Sequence, residues 1–106
     1  MLAMCVKKSN INDYIDEAIY YLKENNYEKA YKSIKYAMIE DLSSGEIHNL
    51  LGIYYEKIGE FNMAKKHYRV SSDLNPKLNA PMKNLERLGG FRYICNDKYI
   101  DYGEGI

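Results

Sequence analysis

His48 and His67 are the only histidines of the 106-residue chain, and Cys5 and Cys95 its only cysteines. Their spacing decides which metal or nucleophile chemistry is open. A helical zinc site needs two ligands one turn apart, as in HxxxH or HExxH. The two histidines are nineteen residues apart. Neither cysteine has a histidine beside it in sequence to draw off its proton. His67 sits with Lys65 and Lys66 on the polar side of its segment and reads as a surface histidine. Cys5 reads as a terminal thiol and Cys95 as an apolar filler. Gly89-Gly90 lacks the Lys-Ser/Thr of a phosphate-binding loop, and it follows a helical pattern where that loop would precede one. Gly103-Glu-Gly105 reads as a flexible terminus. Asp13, Asp16 and Glu17 form an acidic first turn of the kind the helix dipole favours. The expectation is no catalytic residue, no metal and no cofactor.

Fifteen basic residues balance fifteen acidic ones. Nucleic acid and anionic membranes are held by clustered Lys and Arg, so neither is expected as the partner. No apolar run approaches the ~20 residues of a membrane span. The apolar start, residues 1–6, precedes Lys7-Lys8 and so inverts the order of a signal peptide. With ninety residues between two lone cysteines there is no disulfide framework, and a cytoplasmic, soluble protein is expected. Ile, Leu, Val and Phe number 24, enough for one small core.

The elements that fill this core repeat. Residues 11–44 set over 45–78 match at an offset of 34: Ile19 on Ile53, Tyr20 on Tyr54, Tyr21 on Tyr55, Lys23 on Lys57, Ala30 on Ala64 and Lys32 on Lys66. Ala18 falls on Gly52 and Tyr27 on Phe61, small on small and aromatic on aromatic. Each repeat reads as two helices. Tyr14, Ala18, Tyr21 and Leu22 keep helical spacing until Asn25-Asn26, and Tyr27, Ala30, Ile34, Ala37 and Met38 begin a second run. Leu51, Tyr55 and Ile58 lead to a Gly59 stop, then Phe61, Ala64, Tyr68 and Ser71 continue until Pro76. Ser43 or Ser44 is placed to cap the third helix.

These residues resemble the tetratricopeptide repeats. The second repeat carries His48, Leu51-Gly52, Tyr55, Gly59, Phe61, Ala64, Tyr68, Ser71 and Pro76 at the signature places. It departs at His48, where an aromatic is usual, and at Ser71, where Ala is usual. The first repeat keeps Tyr14, Ala18, Tyr21, Tyr27, Ala30 and Ala37 but has Glu17, Ile34 and Leu42 at places of the family's Leu, aromatic and Pro. The resemblance covers about two thirds of the chain and implies an all-α fold of antiparallel hairpins stacked as a short α-solenoid. Residues 79–90, with Pro81, Leu85 and Leu88, read as a capping helix closed by Gly89-Gly90. Residues 91–106 read as a small β-hairpin turning at Asn96-Asp97, or as an irregular tail.

In that family the first helix of each repeat lines a concave groove where ligands lie. Carried over, the groove takes Asn12, Ile15, Ile19 and Leu22, then Glu46, Asn49, Ile53 and Glu56, then Lys83, Asn84 and Arg87. Ile15 and Ile19 stand where the family's carboxylate clamp has Lys and Asn, so that clamp is not implied. What is implied is a protein–protein interaction module whose groove binds an apolar or amphipathic peptide segment, with an acidic preference at the Lys83 and Arg87 end. The alternative is self-association, as a homodimer, with the groove filled by the chain's own terminus or a second copy's. A strip of Ile15, Ile19, Leu22 and Ile53 needs some such cover. Tyr14, Tyr21, Tyr27, Tyr55 and Tyr68 fall on packing places. Tyr20, Tyr31, Tyr36 and Tyr54 fall off them and either bind a partner or seal one hairpin to the next.

Overall fold

The computed structural model describes residues 11–90, 93 and 98–104. Both cysteines, residues 1–10 and the Asn96-Asp97 turn of the expected hairpin lie outside the described residues. Five helices follow in order: α1 (Ile11–Lys23), α2 (Tyr27–Glu40), α3 (Gly45–Lys57), α4 (Phe61–Leu74) and α5 (Ala80–Leu88). The fold is all-α, and no strand occurs among the described residues. Residues 98–104 run as a turn and irregular chain, the second of the two conformations expected for the tail.

α1 and α3 stop in the same way, thirty-four residues apart. Asn26 N–H donates to the Tyr21 carbonyl and Asn25 N–H to that of Leu22, while Glu60 N–H donates to Tyr55 and Gly59 N–H to Glu56. Both are paired turns that need a left-handed residue at the corner. Asn25 has φ 60° and Gly59 φ 86°. Asn26 then caps α2 by accepting from Lys29 N–H, and Ser44 caps α3 by accepting from Ile47 N–H. The resulting hairpins α1–α2 and α3–α4 pack side by side. α1 meets α3 and α3 meets α5, so these three helices form the inner layer, with α2 and α4 outside.

Small residues allow that packing. A Cβ on Gly52 would lie 2.5 Å from the Tyr68 ring, so α3 meets the ring with bare backbone. In the first hairpin the equivalent pair is Ala18 and Ile34, both buried, with a methyl added on one side and an aromatic ring removed on the other. Tyr31 stacks on Tyr54 at 5.0 Å and joins the two hairpins. The Lys57 ammonium adds a second link, donating to the Leu22 carbonyl at 2.9 Å and to Asn25 Oδ1 at 3.0 Å.

Candidate functional site

α3 lies between neighbours on all sides and places Asn49, Ile53 and Glu56 on its inner face. None of the three is more than 2% exposed. Burying a carboxylate is costly unless it is paired and hydrogen-bonded. Glu56 is supplied with four donors. Tyr68 OH donates to Oε1 at 2.7 Å, Tyr93 OH to Oε2 at 2.7 Å, and both terminal nitrogens of Arg87 reach the carboxylate as a fork. Burial pushes the Glu56 carboxyl up, but the bonds from Arg87, Tyr68 and Tyr93 outweigh it and hold the group below its ordinary range. The Tyr68 phenol moves the other way, raised by burial and then by the adjacent carboxylate.

Arg87 hands the network on. Its Nη2 donates to Asn84 Oδ1 at 3.1 Å, and Asn84 is fully buried on α5. That side chain grips a single residue of the tail at both of its backbone polar groups. Asn84 Oδ1 accepts from Asp101 N–H at 3.0 Å, and Asn84 Nδ2 donates to the Asp101 carbonyl at 2.9 Å. Asn49 Nδ2 donates to the same carbonyl at 3.1 Å, and its Oδ1 accepts from Asn84 at 3.0 Å. The geometry is that of a strand neighbour: one residue's N–H and C=O both paired with one partner. Asn84 and Asn49 bond the backbone of Asp101 and not its side chain.

The flanking tail residues fill the groove. Ile100 and Tyr102 are each 6% exposed and belong to the same core cluster as Ile19, Leu22 and Ile53. Asp101 lies between them, half-buried, with Oδ1 accepting from Gly103 N–H and Oδ2 3.7 Å from Lys83 Nζ. Gly103 turns the chain at φ 73°. At the α1 end Lys23 Nζ bonds Glu104 at 2.9 Å and sits 5.0 Å above the Tyr102 ring. The tail therefore touches α1, α3 and α5.

The apolar groove places are not open to solvent. Ile19, Leu22 and Ile53 are buried in one cluster with Ile100 and Tyr102 of the tail, and Asn49 is buried with its bond to Asp101. Arg87 is no solvent-facing basic end, since its charge is spent on Glu56. Lys83 remains exposed, Ile15 is half-buried against the core, and Asn12 lies exposed on the first turn of α1. Asn84 and Glu56 are both groove places, and Arg87 links them. A signal existed: the 34-residue offset sets Leu22 on Glu56 and Ile15 on Asn49. Polar residues at places that are apolar in a sister repeat mark a surface with something to bond.

His67 also differs from expectation. It is half-buried, with its ring flat against Tyr55 at 5.3 Å and against His48 at 5.4 Å. His48 Nε2 lies 3.2 Å from the Leu42 carbonyl, which can only accept. His48 Nε2 therefore carries its proton, Nδ1 accepts, and His67 Nδ1–H donates across 3.2 Å. Burial, His48 and Lys66 lower the His67 pKa. Of the other tyrosines, Tyr54 seals the hairpins against Tyr31, while Tyr20 and Tyr36 are exposed. Among the described residues no group of three metal-ligating side chains occurs. No described helix is long and apolar enough to cross a membrane. No family model matches the chain, and no match is found among curated proteins or solved structures.

Proposed function

We propose that the chain is a non-enzymatic protein–protein interaction module of the tetratricopeptide kind, whose inner face binds an extended polypeptide segment. The observation that carries this reading is the double bond from Asn84 to the N–H and C=O of one peptide residue, backed by Asn49. The tail residue between Ile100 and Tyr102 makes no helix or strand bonds, and side chains of the helices satisfy its backbone instead. A buried amide that presents one donor and one acceptor to a passing backbone is what a peptide-reading groove requires. Balanced charge and the lone cysteines fit a polypeptide partner in a reducing cytoplasm.

Panning a library of random linear peptides against the full chain, with Asn84→Leu as the counter-screen, tests the reading. Enriched peptides should bind the parent chain and lose affinity about tenfold or more for Asn84→Leu. Peptides insensitive to Asn84, or no enrichment, would count against it. The second reading is self-association. It is favoured by the identity of the groove's occupant, a segment of this same chain that a second copy could supply with identical bonds. A concentration-dependent dimer lost on Asn84→Leu supports it.

A further inference from the structure

We infer that the groove selects an acidic extended segment patterned on its own tail. That pattern runs apolar, acidic, aromatic, glycine, acidic, as in residues 100–104. A partner segment of this chemistry binds by displacing the tail. The inference rests on the peptide-binding reading above and adds to it the class of ligand and the exchange.

The walls carry the argument. A cleft of about 680 Å³ runs alongside the tail, and the helices and their connections contribute to it Lys23, Lys77, Leu78, Asn79, Ala80 and Lys83. Three of those six are lysines and none is acidic. The carboxylates that line it, Asp101 and Glu104, both come from the tail, which also contributes Lys98. Lys23 bonds Glu104 and Lys83 faces Asp101, so the scaffold's positive charge is matched by the occupant's negative charge at two places. The two buried side chains, Ile100 and Tyr102, flank Asp101. The groove thus reads i and i+2 as apolar, and i+1 and i+4 as acidic. The residue at i+1 must not be proline, because its N–H donates to Asn84. The φ of 73° at Gly103 puts a glycine at i+3.

Exchange follows from how the tail is held. Residues 98–104 form no helix or strand, and among their contacts the two ion pairs have mostly exposed partners. A tethered segment competes at millimolar effective concentration, so a free segment of the same sequence should bind the intact chain weakly and an opened chain far better.

The probe is a fluorescein-labelled peptide of residues 98–104, Lys-Tyr-Ile-Asp-Tyr-Gly-Glu, followed by anisotropy with the full chain. Two opened variants are used, Ile100→Ser with Tyr102→Ser, and separately Asp101→Pro, which removes the N–H that Asn84 accepts from. Either opened chain should bind the probe at least tenfold tighter than the parent and retain its helical circular dichroism. Adding Asn84→Leu should abolish the gain. A control peptide with Lys in place of both acidic residues should bind at least tenfold more weakly. Equal binding of the control would overturn the acidic preference while leaving the peptide-binding reading intact. Failure of the probe to bind either opened chain with helices retained would overturn the inference, and the panned peptides would then judge the reading separately. Loss of helix in both opened variants would overturn the exchange, because the tail would then be core.

Discussion

Leu22 in α1 and Glu56 in α3 occupy equivalent places thirty-four residues apart, and both are buried. The same offset sets Ile15 on Asn49, Ala18 on Gly52 and Ile34 on Tyr68. The backbone scarcely registers these exchanges, since both helices end in the same paired turn. The chemistry registers them fully. The first hairpin gives an apolar floor and a lysine at its rim. The second gives a buried carboxylate, an amide and, through Arg87 and Asn84 of α5, the bonds to Asp101. An apolar wall can bury a ligand's side chains but leaves its backbone N–H and C=O unsatisfied. The difference teaches that the hold on the tail's backbone resides in a few polar exchanges on a scaffold of shared packing.

Removing the polar half of that comparison should have the largest effect. Arg87→Ala strands a buried Glu56 charge and should cost about 3–5 kcal/mol in denaturant unfolding. Glu56→Leu with Arg87→Met gives the second hairpin the first one's chemistry, and it should recover most of that loss while still failing to hold the tail. A recovered stability with the tail still docked would show that Asn84 needs no support from Arg87.

The small-residue exchange comes next. Gly52→Ala drives a methyl into the Tyr68 ring and should destabilise by about 1–3 kcal/mol, although alanine is the better helix former. Ala64→Leu, at a fully buried place on α4, should cost a similar amount by overpacking. At the shared turn, Gly59→Ala forces φ 86° on a residue with a Cβ and should cost about 1 kcal/mol. Asn25→Gly relaxes the same strain but loses the bond from Lys57, so it should be neutral or slightly destabilising. A thermal melt of each variant checks the order.

Much of the fold was legible. Ile, Tyr, Ala and Lys recurring at an offset of 34 point to both hairpins, and Asn25 and Gly59 mark the helix ends. Pro81 and Gly89 bracketed α5. The site was legible only in part. The resemblance to the tetratricopeptide repeats puts Asn49, Ile53, Lys83 and Arg87 on the inner face, but it says nothing of what lies across from a residue. Whether Arg87 meets solvent or Glu56 depends on the spacing between α3 and α5. The tail's position depends on long-range docking that no local pattern in Tyr-Ile-Asp-Tyr-Gly encodes. The half-burial of His67 has a similar cause, because the α3–α4 crossing sets it against His48.

The smallest effect expected is a two-step loss of stability with acid. His67 has a lowered pKa, so the folded state favours its neutral form. That contribution is present above the ordinary histidine value of 6.5 and is lost as pH falls from there through the folded pKa. Glu56 is likewise lowered, and its contribution is present above the ordinary 4.5 and lost as pH falls through the folded pKa. His67→Gln should erase the first step and leave the second. Urea midpoints taken at intervals of pH measure both.

Hydrogen exchange at the Asp101 amide is the sharpest measurement of the whole. That N–H donates to Asn84 inside the groove, so it should exchange at least tenfold more slowly than in a free peptide of the same sequence. In Asn84→Ala the protection at Asp101 should vanish while the amides of α3 and α4 stay protected. An Asp101 amide exchanging at the free-peptide rate in the parent chain would contradict a groove that grips its own tail.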